Sequence, residues 1–532
     1  MAESDRAQFA DIALLQAYLT PERVRVLQET GMLPEDTVRA EVARLRNELS
    51  AIATYIPSAL VREQLAAPAP GRVRGTYWNG SVLFADLSGF TALSGTLSAL
   101  GKQGAEEISA IINALFTALV EEIHRCRGGL LKFGGDALTA FFDAATLEDD
   151  HARLASRAAL AMQERMREFS ALQTRAGAFT LRLRIGVHSG HVFAAEVGDT
   201  DHIELVVTGR NINRVALAQE IAEPGEVVIS RQTRDLVPDA VVEQRQSGFF
   251  HLSQIPHITI PPPFSRWGRG LGRSDLRELV TLAKQIDSLR PYLPRGLPRR
   301  FIEPDGEQAS GEFRPVTVLF AHFYPFTRVL DMIGDDCDTA VQVLNAYYRR
   351  AQEVIHRYGG IVNKVDMYTY GDKLMALFGA PVAHEDDPLR ATRAAFELNE
   401  VVSEANQAVY DLLHPRVGRL LQVDRQLFKQ RIGINTGVVF AGKVGSDQRH
   451  EYSVMGQHVN LAARLMSAAE ERTIIVSPST RRAIERHIEL QELAPVRLKG
   501  VADPVPIARV LRPFGVLQEA RHSLARPELV GR

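Results

Sequence analysis

The sequence predicts an α+β chain made of two homologous domains of βαββαβ type with added strands. The first observation is an internal repeat. YIPSALVREQ at 55 returns as YLPRGLPRRF at 292, VLFADLSGFT at 82 as VLFAHFYPFT at 318, and HRCRGGLLK at 124 as HRYGGIVNK at 356. RIGVHSGHVFAAEVGD at 184 returns as RIGINTGVVFAGKVGSD at 431, and VTGRNINRVALA at 207 as VMGQHVNLAARL at 454. The offset stays between about 232 and 247 residues across five landmarks in one order, which chance similarity does not produce. The second observation is that each copy alternates apolar runs of strand length with amphipathic helices. The third is length: 532 residues exceed one core, and roughly 150 residues per domain suggests three or four units.

Taken in order, residues 1–65 read as helices. Apolar positions recur every three or four residues in DIALLQAYL and VRAEVARLRNELSAIATYI, with breaks at Thr20-Pro21 and Leu33-Pro34. Residues 66–77 are a linker by the Pro and Gly of AAPAPGRVRG. The first domain, 78–230, opens on a strand at 80–86. A long helix follows, GAEEISAIINALFTALVEEIHRC, with Ile108, Ile111, Ile112, Leu115, Leu119 and Ile123 on one stripe. Gly128-Gly129 stops it. A hairpin around Gly134-Gly135, a helix over roughly 149–170 and strands at 180–187, 191–197 and 203–208 come next. A helix at 211–221 and the strand EVVIS close the unit. Residues 231–312 read as an inter-domain linker, Pro- and Gly-rich around IPHITIPPPFSRWGRGLG, with one helix in SDLRELVTLAKQIDSL. The second domain spans 313–512. The tail, 513–532, contains RHSLARPELVGR, which looks like the lead-in to an ATPase module.

Composition narrows the function classes. With 62 basic and 64 acidic residues the net charge is −2, so no global field gathers nucleic acid or an anionic membrane. Only Cys126 and Cys337 are present, both in helical segments and read as core; they build no disulfide framework and fit a reducing compartment. No window reaches eighteen uncharged apolar residues, and the N-terminus lacks a basic start followed by an apolar run. A cytoplasmic monomer is expected.

The chemistry is carried by VLFADLSGFTALS (82–94) and LLKFGGDALTAFF (130–142), which place Asp86 and Asp136 at or just past the ends of strand-length runs. Two carboxylates brought together hold a hard dication such as Mg²⁺ and leave positions open for phosphate. Behind Asp86, Ser88, Gly89, Phe90 and Thr91 lead into a helix, and the unpaired N–H groups of a helix start suit a triphosphate. A lone Asp after a strand is ordinarily a cap or turn former. Here FADLSGFT and KFGGDALTAFF, about fifty residues apart, resemble the two metal-binding segments of class III nucleotidyl cyclases.

The two copies diverge where the chemistry lies. In the second, His322 stands where Asp86 would be, although Asp372 still follows Gly371, so the metals are expected on the first copy alone. The second copy instead carries Asn460 and Arg464 in EYSVMGQHVNLAARLM, four apart on one helix face. An amide can orient a ribose and a guanidinium can hold charge developing on a phosphoryl group. The matching helix of the first copy has Asn213 but Leu217. One complete site therefore needs both copies.

That division resembles the heterodimer-like class III adenylyl cyclases over roughly 78–230 and 313–512. Within them the chain is most similar to the bicarbonate-responsive soluble adenylyl cyclase branch, whose spacing matches the seven positions from Lys364 to Gly371. The resemblance implies a pseudo-symmetric pair of ferredoxin-like cyclase domains that convert ATP to 3′,5′-cyclic AMP and pyrophosphate. It implies two Mg²⁺ or Mn²⁺ on Asp86 and Asp136, with the Leu87 carbonyl as an added ligand. It puts Lys364 on the adenine ring nitrogen, Ser453 on the exocyclic amine, and Arg184 and Lys499 on the triphosphate. A lysine donates, which suits N1 of adenine and not the protonated N1 of guanine. Plainer roles remain open: a surface lysine for Lys364, a strand-end hydrogen bond for Ser453, a strand-surface arginine for Arg184.

The degenerate cleft would be lined by Lys132, Val207, Ala216, His322 and Arg431. In the soluble branch the matching pocket binds bicarbonate through a lysine, a valine main chain and an arginine. Lys132 and Val207 match, but the arginine position reads Ala216, with Arg214 two residues earlier. His322 has no second His or Cys at ligand spacing and reads as a filler. Two rival functions stand: a catalytically inactive nucleotide- or effector-binding module, and a dinucleotide cyclase suggested by GGDAL. The second uses like subunits, whereas here the nucleotide-facing residues are split between unlike copies.

Overall fold

Thr20 and Pro34 start helices as their residue types demand. The Thr20 hydroxyl accepts from Arg23 N at 3.4 Å to cap Pro21–Thr30, and Glu35–Ala53 begins directly after Pro34. The structure, a computed structural model, describes residues 11–256, 275–297, 311–368, 371–417, 426–446, 448–498 and 503–514. The proposed ATPase lead-in at 521–532 lies outside them. Ser58–Ala66 and the linker helix Leu276–Leu289 join the N-terminal helices in one apolar cluster. There Leu45, Ile52, Leu279 and Ile286 pack against Val192, Leu205 and Val215 of the first domain.

The first sheet contains β1 (Arg74–Ser88), β2 (Gly129–Phe133), β3 (Ala137–Asp143), β4 (Arg182–Gly198), β5 (Ile203–Thr208), β6 (Val227–Ser230), β7 (Val241–Gln246) and β8 (Phe249–Gln254). The second contains β9 (Glu312–Tyr324), β10 (Ile361–Tyr368), β11 (Gly371–Phe378), β12 (Lys429–Gly445), β13 (His450–Met455), β14 (Ile474–Val476), β15 (Ile488–Val496) and β16 (Val505–Pro513). The first runs β2-β3-β1-β4-β6-β8-β7 with β5 on β4, and the second runs β10-β11-β9-β12-β14-β16-β15 with β13 on β12. One topology is thus used twice, and β2-β3-β1-β4 is the order of the expected βαββαβ unit.

Three expectations are corrected. The strands at 180–187 and 191–197 are one strand, because Ser189-Gly190 stays paired with Gly80-Ser81 of β1. The first sheet does not close at 230. VVEQRQ and FFHLSQ extend it to 254; the first is largely polar and exposed, and the second is a short strand with Phe249 and Leu252 buried. Cys126 is buried, but Cys337 only partly, at the start of the helix Cys337–Arg357. The apolar stripe of Lys102–Arg125 packs on Leu83 and Phe142 as expected, with Ile111 at its margin.

The two domains share their cores reciprocally. Phe193, Ala195 and Val197 of β4 enter the core of the second domain, while Phe440, Val444 and Met455 enter that of the first. Matching hydrogen bonds flank the exchange: Gly198 N donates to Asn345 Oδ1 at 2.7 Å and Gly445 N to Asn113 Oδ1 at 3.1 Å. This exchange holds the copies head to tail and forms a cleft on either side. Among the described residues no helix is long and apolar enough to cross a membrane.

Candidate active site

β1 carries Asp86 to its end, opposite Ala137 of β3 and Arg184 of β4, and the Arg184 guanidinium pairs with the Asp86 carboxylate. The β2–β3 turn presents Asp136. Gly135 there has φ +76, the left-handed region that glycine adopts freely. Leu87 N donates to Asp136 O at 3.2 Å, which ties the two acidic segments together. Gly89 takes φ +96 at the start of the helix Phe90–Ser98, and a Cβ on it would stand 2.5 Å from Thr180 O. Glycine is therefore required at that turn.

The second domain closes over this floor. A cavity of about 190 Å³ is lined by Asp86, Phe90 and Asp136 from the first copy and by Lys364, Val454 and Asn460 from the second. Asn460 Nδ2 donates to Thr91 Oγ1 at 3.0 Å across the interface. One turn further along the helix Gln457–Ala468, burial lowers the Arg464 guanidinium from its ordinary value while the nearby Asp136 opposes that. The expected carboxylates and the expected amide thus face one space, with Arg464 outside its lining but near enough to Asp136 to feel its charge.

Its electrostatics favour a cation. Burial first, then the Asp86 charge, pushes the Asp136 carboxyl up to about 7, with Lys373 and Arg184 opposing. A dication bound between the two carboxylates removes that repulsion. Among the described residues no group of three or more His, Cys, Asp or Glu is arranged around a metal. Two carboxylates fit ions whose remaining ligands are phosphate and water oxygens.

Lys364 is buried, donates to Phe133 O at 2.6 Å and lies 3.8 Å from Glu451. Ser453 is buried, its hydroxyl donating to Asn363 Oδ1 at 3.2 Å, while Val454 and Met455 rather than Ser453 line the cavity. Lys499 lies outside the described residues. Asp366 and Lys373 also line the cavity and were not anticipated. The available signal was the longer second hairpin, eight positions from Lys364 to Asp372 against four from Lys132 to Asp136.

In the other cleft Lys132 donates to Val365 O and stands 3.5 Å from Glu204. His322 stacks on Tyr324 at 4.4 Å and accepts from Arg431 Nε at 3.1 Å. The Val207 side chain packs on the cluster of N-terminal helices. Arg214 is exposed, its charge helping to push the His188 imidazole down, while Lys132 is paired with Glu204.

Asp372 is buried there, and its Oδ2 has no hydrogen-bond partner among the described residues. Burial pushes its carboxyl up to about 7, against a Thr208 hydrogen bond and the Lys132 charge. Tyr348 also faces this carboxylate. The folded chain therefore keeps a proton that the unfolded chain releases near pH ~4. Stability should fall as pH rises from ~4 through about 7. In Asp372→Asn that loss disappears. The melting temperature of the variant relative to the parent is expected to climb by a few degrees between mildly acidic and mildly alkaline buffer. A difference that does not change with pH would rule this out.

Comparison with known proteins follows the same lines. The family described as Adenylate and Guanylate cyclase catalytic domain matches residues 74–254 and 309–508. Adenylate cyclase type 10 of Homo sapiens is 26% identical over 481 residues, 86% of this chain and 28% of that protein. The chain thus spans well under a third of that relative. Adenylate cyclase 1 of Rhizobium meliloti is 27% identical over 223 residues, 41% of this chain and 31% of that protein. The crystal structure of a class III adenylyl cyclase-like ATP-binding protein from Pseudomonas aeruginosa covers 80% of this chain and 92% of its own, with TM-score 0.51 and 14% identity. That last likeness bears on the fold alone.

Proposed function

The chain belongs to the adenylate and guanylate cyclase catalytic-domain family, and from that premise we propose that it is an adenylyl cyclase closing ATP to 3′,5′-cyclic AMP and pyrophosphate at the composite cleft. The observation that carries this is a cavity lined by Asp86 and Asp136 of one copy and by Lys364 and Asn460 of the other.

The ribose 3′-oxygen attacks the α-phosphorus in line, the 3′-hydroxyl proton is lost to solvent, and pyrophosphate leaves. Mg²⁺ or Mn²⁺, two ions on Asp86, Asp136 and the Leu87 carbonyl, would supply Lewis-acid stabilisation of the oxygens that gain charge. Asn460 orients the ribose, and Arg464 neutralises charge on the α-phosphoryl group. The backbone from Ser88 to Thr91 receives the triphosphate, with Arg184 and Lys499 as its basic partners. Lys364 exchanges the Phe133 carbonyl for N1 of adenine, while Ser453, its hydroxyl turned to Asn363, is left out of the base contact. No side chain serves as a dedicated base; positioning and charge neutralisation carry the step.

The protein is proposed to work in the cytoplasm as a monomer whose domains pair within the chain. Incubation with ATP and Mn²⁺ is expected to yield cyclic AMP, with GTP a poor substrate. A chain that binds ATP without turning it over would be an effector module instead. The degenerate cleft is proposed as a bicarbonate-responsive regulatory site resting on Lys132. Bicarbonate at fixed pH is then expected to raise turnover about severalfold, and Lys132→Ala to abolish the response; unchanged turnover together with a silent variant rejects it.

A further inference from the structure

The helix Glu35–Ala53 runs into Thr54-Tyr55, and these two residues hold one residue of the second domain. Thr54 O accepts from His450 N at 3.0 Å, and Thr54 Oγ1 lies 3.0 Å from His450 Nε2. The Tyr55 ring stands edge-on to the imidazole, 4.2 Å between centroids. His450 is 4% exposed and is the first residue of β13. Its neighbours carry the contact inward. Arg449, buried, donates to Glu451 at 2.8 Å, to His450 O at 2.6 Å and to Leu131 O at 3.3 Å. Glu451 accepts from Phe133 N at 3.3 Å and faces the Lys364 ammonium, which donates to Phe133 O. An unbroken chain of contacts therefore joins the N-terminal helices to Lys364.

The other half of the molecule repeats the inner part and lacks the outer one. There Lys132, Glu204 and His202 stand where Lys364, Glu451 and Arg449 do. The position matching His450 is Ile203, whose side chain cannot hydrogen-bond. Tyr292, the repeat of Tyr55, bonds Glu196 and Gln64 instead. Among the described residues the clamp exists only on the side of the carboxylates. Its base is firmly held: Arg46 pairs with Glu278 at 2.8 Å, and Gln285 donates to Leu65 O at 3.0 Å, which fastens the helices to the linker helix and so to the first domain.

We propose that Thr54 and His450 are positioning residues for base recognition: the N-terminal helices hold the start of β13 so that Glu451 aims Lys364 at the purine. This rests on the role given to Lys364 above. Burial pushes the His450 imidazole down to about 3, so the grip works through a neutral ring across the ordinary pH range.

The test is equilibrium binding of fluorescent ATP and GTP analogues with Mn²⁺ to the whole chain, in the parent, in His450→Ile and in Thr54→Val. His450→Ile installs the residue of the other half. Thr54→Val is near-isosteric and keeps the backbone bond, so it stays informative should the first variant fold poorly. Each is expected to weaken the ATP analogue about 5- to 10-fold, the loss of one or two hydrogen bonds, with the GTP analogue little changed. Equal weakening of both nucleotides would mean structural loosening alone and would overturn the proposal, as would unchanged binding or a parent that does not distinguish the bases. A parent that distinguishes them but makes no cyclic AMP would remove the proposed catalysis and leave the positioning role standing.

Discussion

Asp86→Ala is expected to reduce cyclic AMP formation from ATP and Mn²⁺ by at least about 10³-fold, because it removes one of two carboxylates through which the ions stabilise transition-state charge. The chain should remain folded. Asp86 lies near the end of a strand whose core residues, Leu83, Ala85 and Leu87, are untouched, and its ion pair with Arg184 is partly solvated. The loss of Asp86 also removes a charge that holds the Asp136 carboxyl high, so in metal-free buffer the melting temperature is expected to hold or rise. Mn²⁺ should raise it in the parent and not in the variant. Two results would contradict the assignment: turnover within about tenfold of the parent, or an undiminished Mn²⁺-induced shift.

What could be read in advance followed the chemistry of single residues. Asp86 and Asp136 stood out because FADLSGFT and KFGGDALTAFF resemble the metal-binding segments of the family, a lone strand-end Asp being ordinarily a cap or turn former, and Asn460 and Arg464 because four-residue spacing puts them on one helix face. The meeting of Asp86, Asp136 and Asn460 in one cavity, with Arg464 close to Asp136, needed only the repeat and the swap of His322 and Leu217 into the copies' matching positions. The unreadable parts lacked a local signal. β7 hides in polar sequence because it is the exposed edge of the sheet, and β8 has too few buried positions to stand out. Asp366 and Lys373 come to the cavity through hairpin length, which sequence spacing gives without direction. The grip of Thr54 on His450 spans 396 residues and uses no motif. Ser453 shows the limit from the other side: its position follows from resemblance, but strand alternation turns its hydroxyl to Asn363 and gives the cavity wall to Val454.

Arg464→Leu puts into the second copy the residue that the first carries at 217, and it separates binding from chemistry. Leu217 is 44% exposed on its helix, so leucine at this place is compatible with the fold and the variant should stay folded. Burial already disfavours the Arg464 charge while the cleft is without nucleotide, which means its removal costs little stability. Its benefit is expected only when negative charge gathers on the α-phosphoryl oxygens. Loss of a preorganised charge donor of that kind costs about 3–4 kcal/mol, a fall of roughly 10²–10³ in kcat. KM should move by no more than about threefold, since ground-state binding does not draw on the guanidinium. Arg464→Lys keeps the charge but not the planar fork, so it should recover only part of the rate. A loss appearing wholly in KM would make Arg464 a triphosphate-binding residue, and kcat within about threefold of the parent would remove it from the reaction.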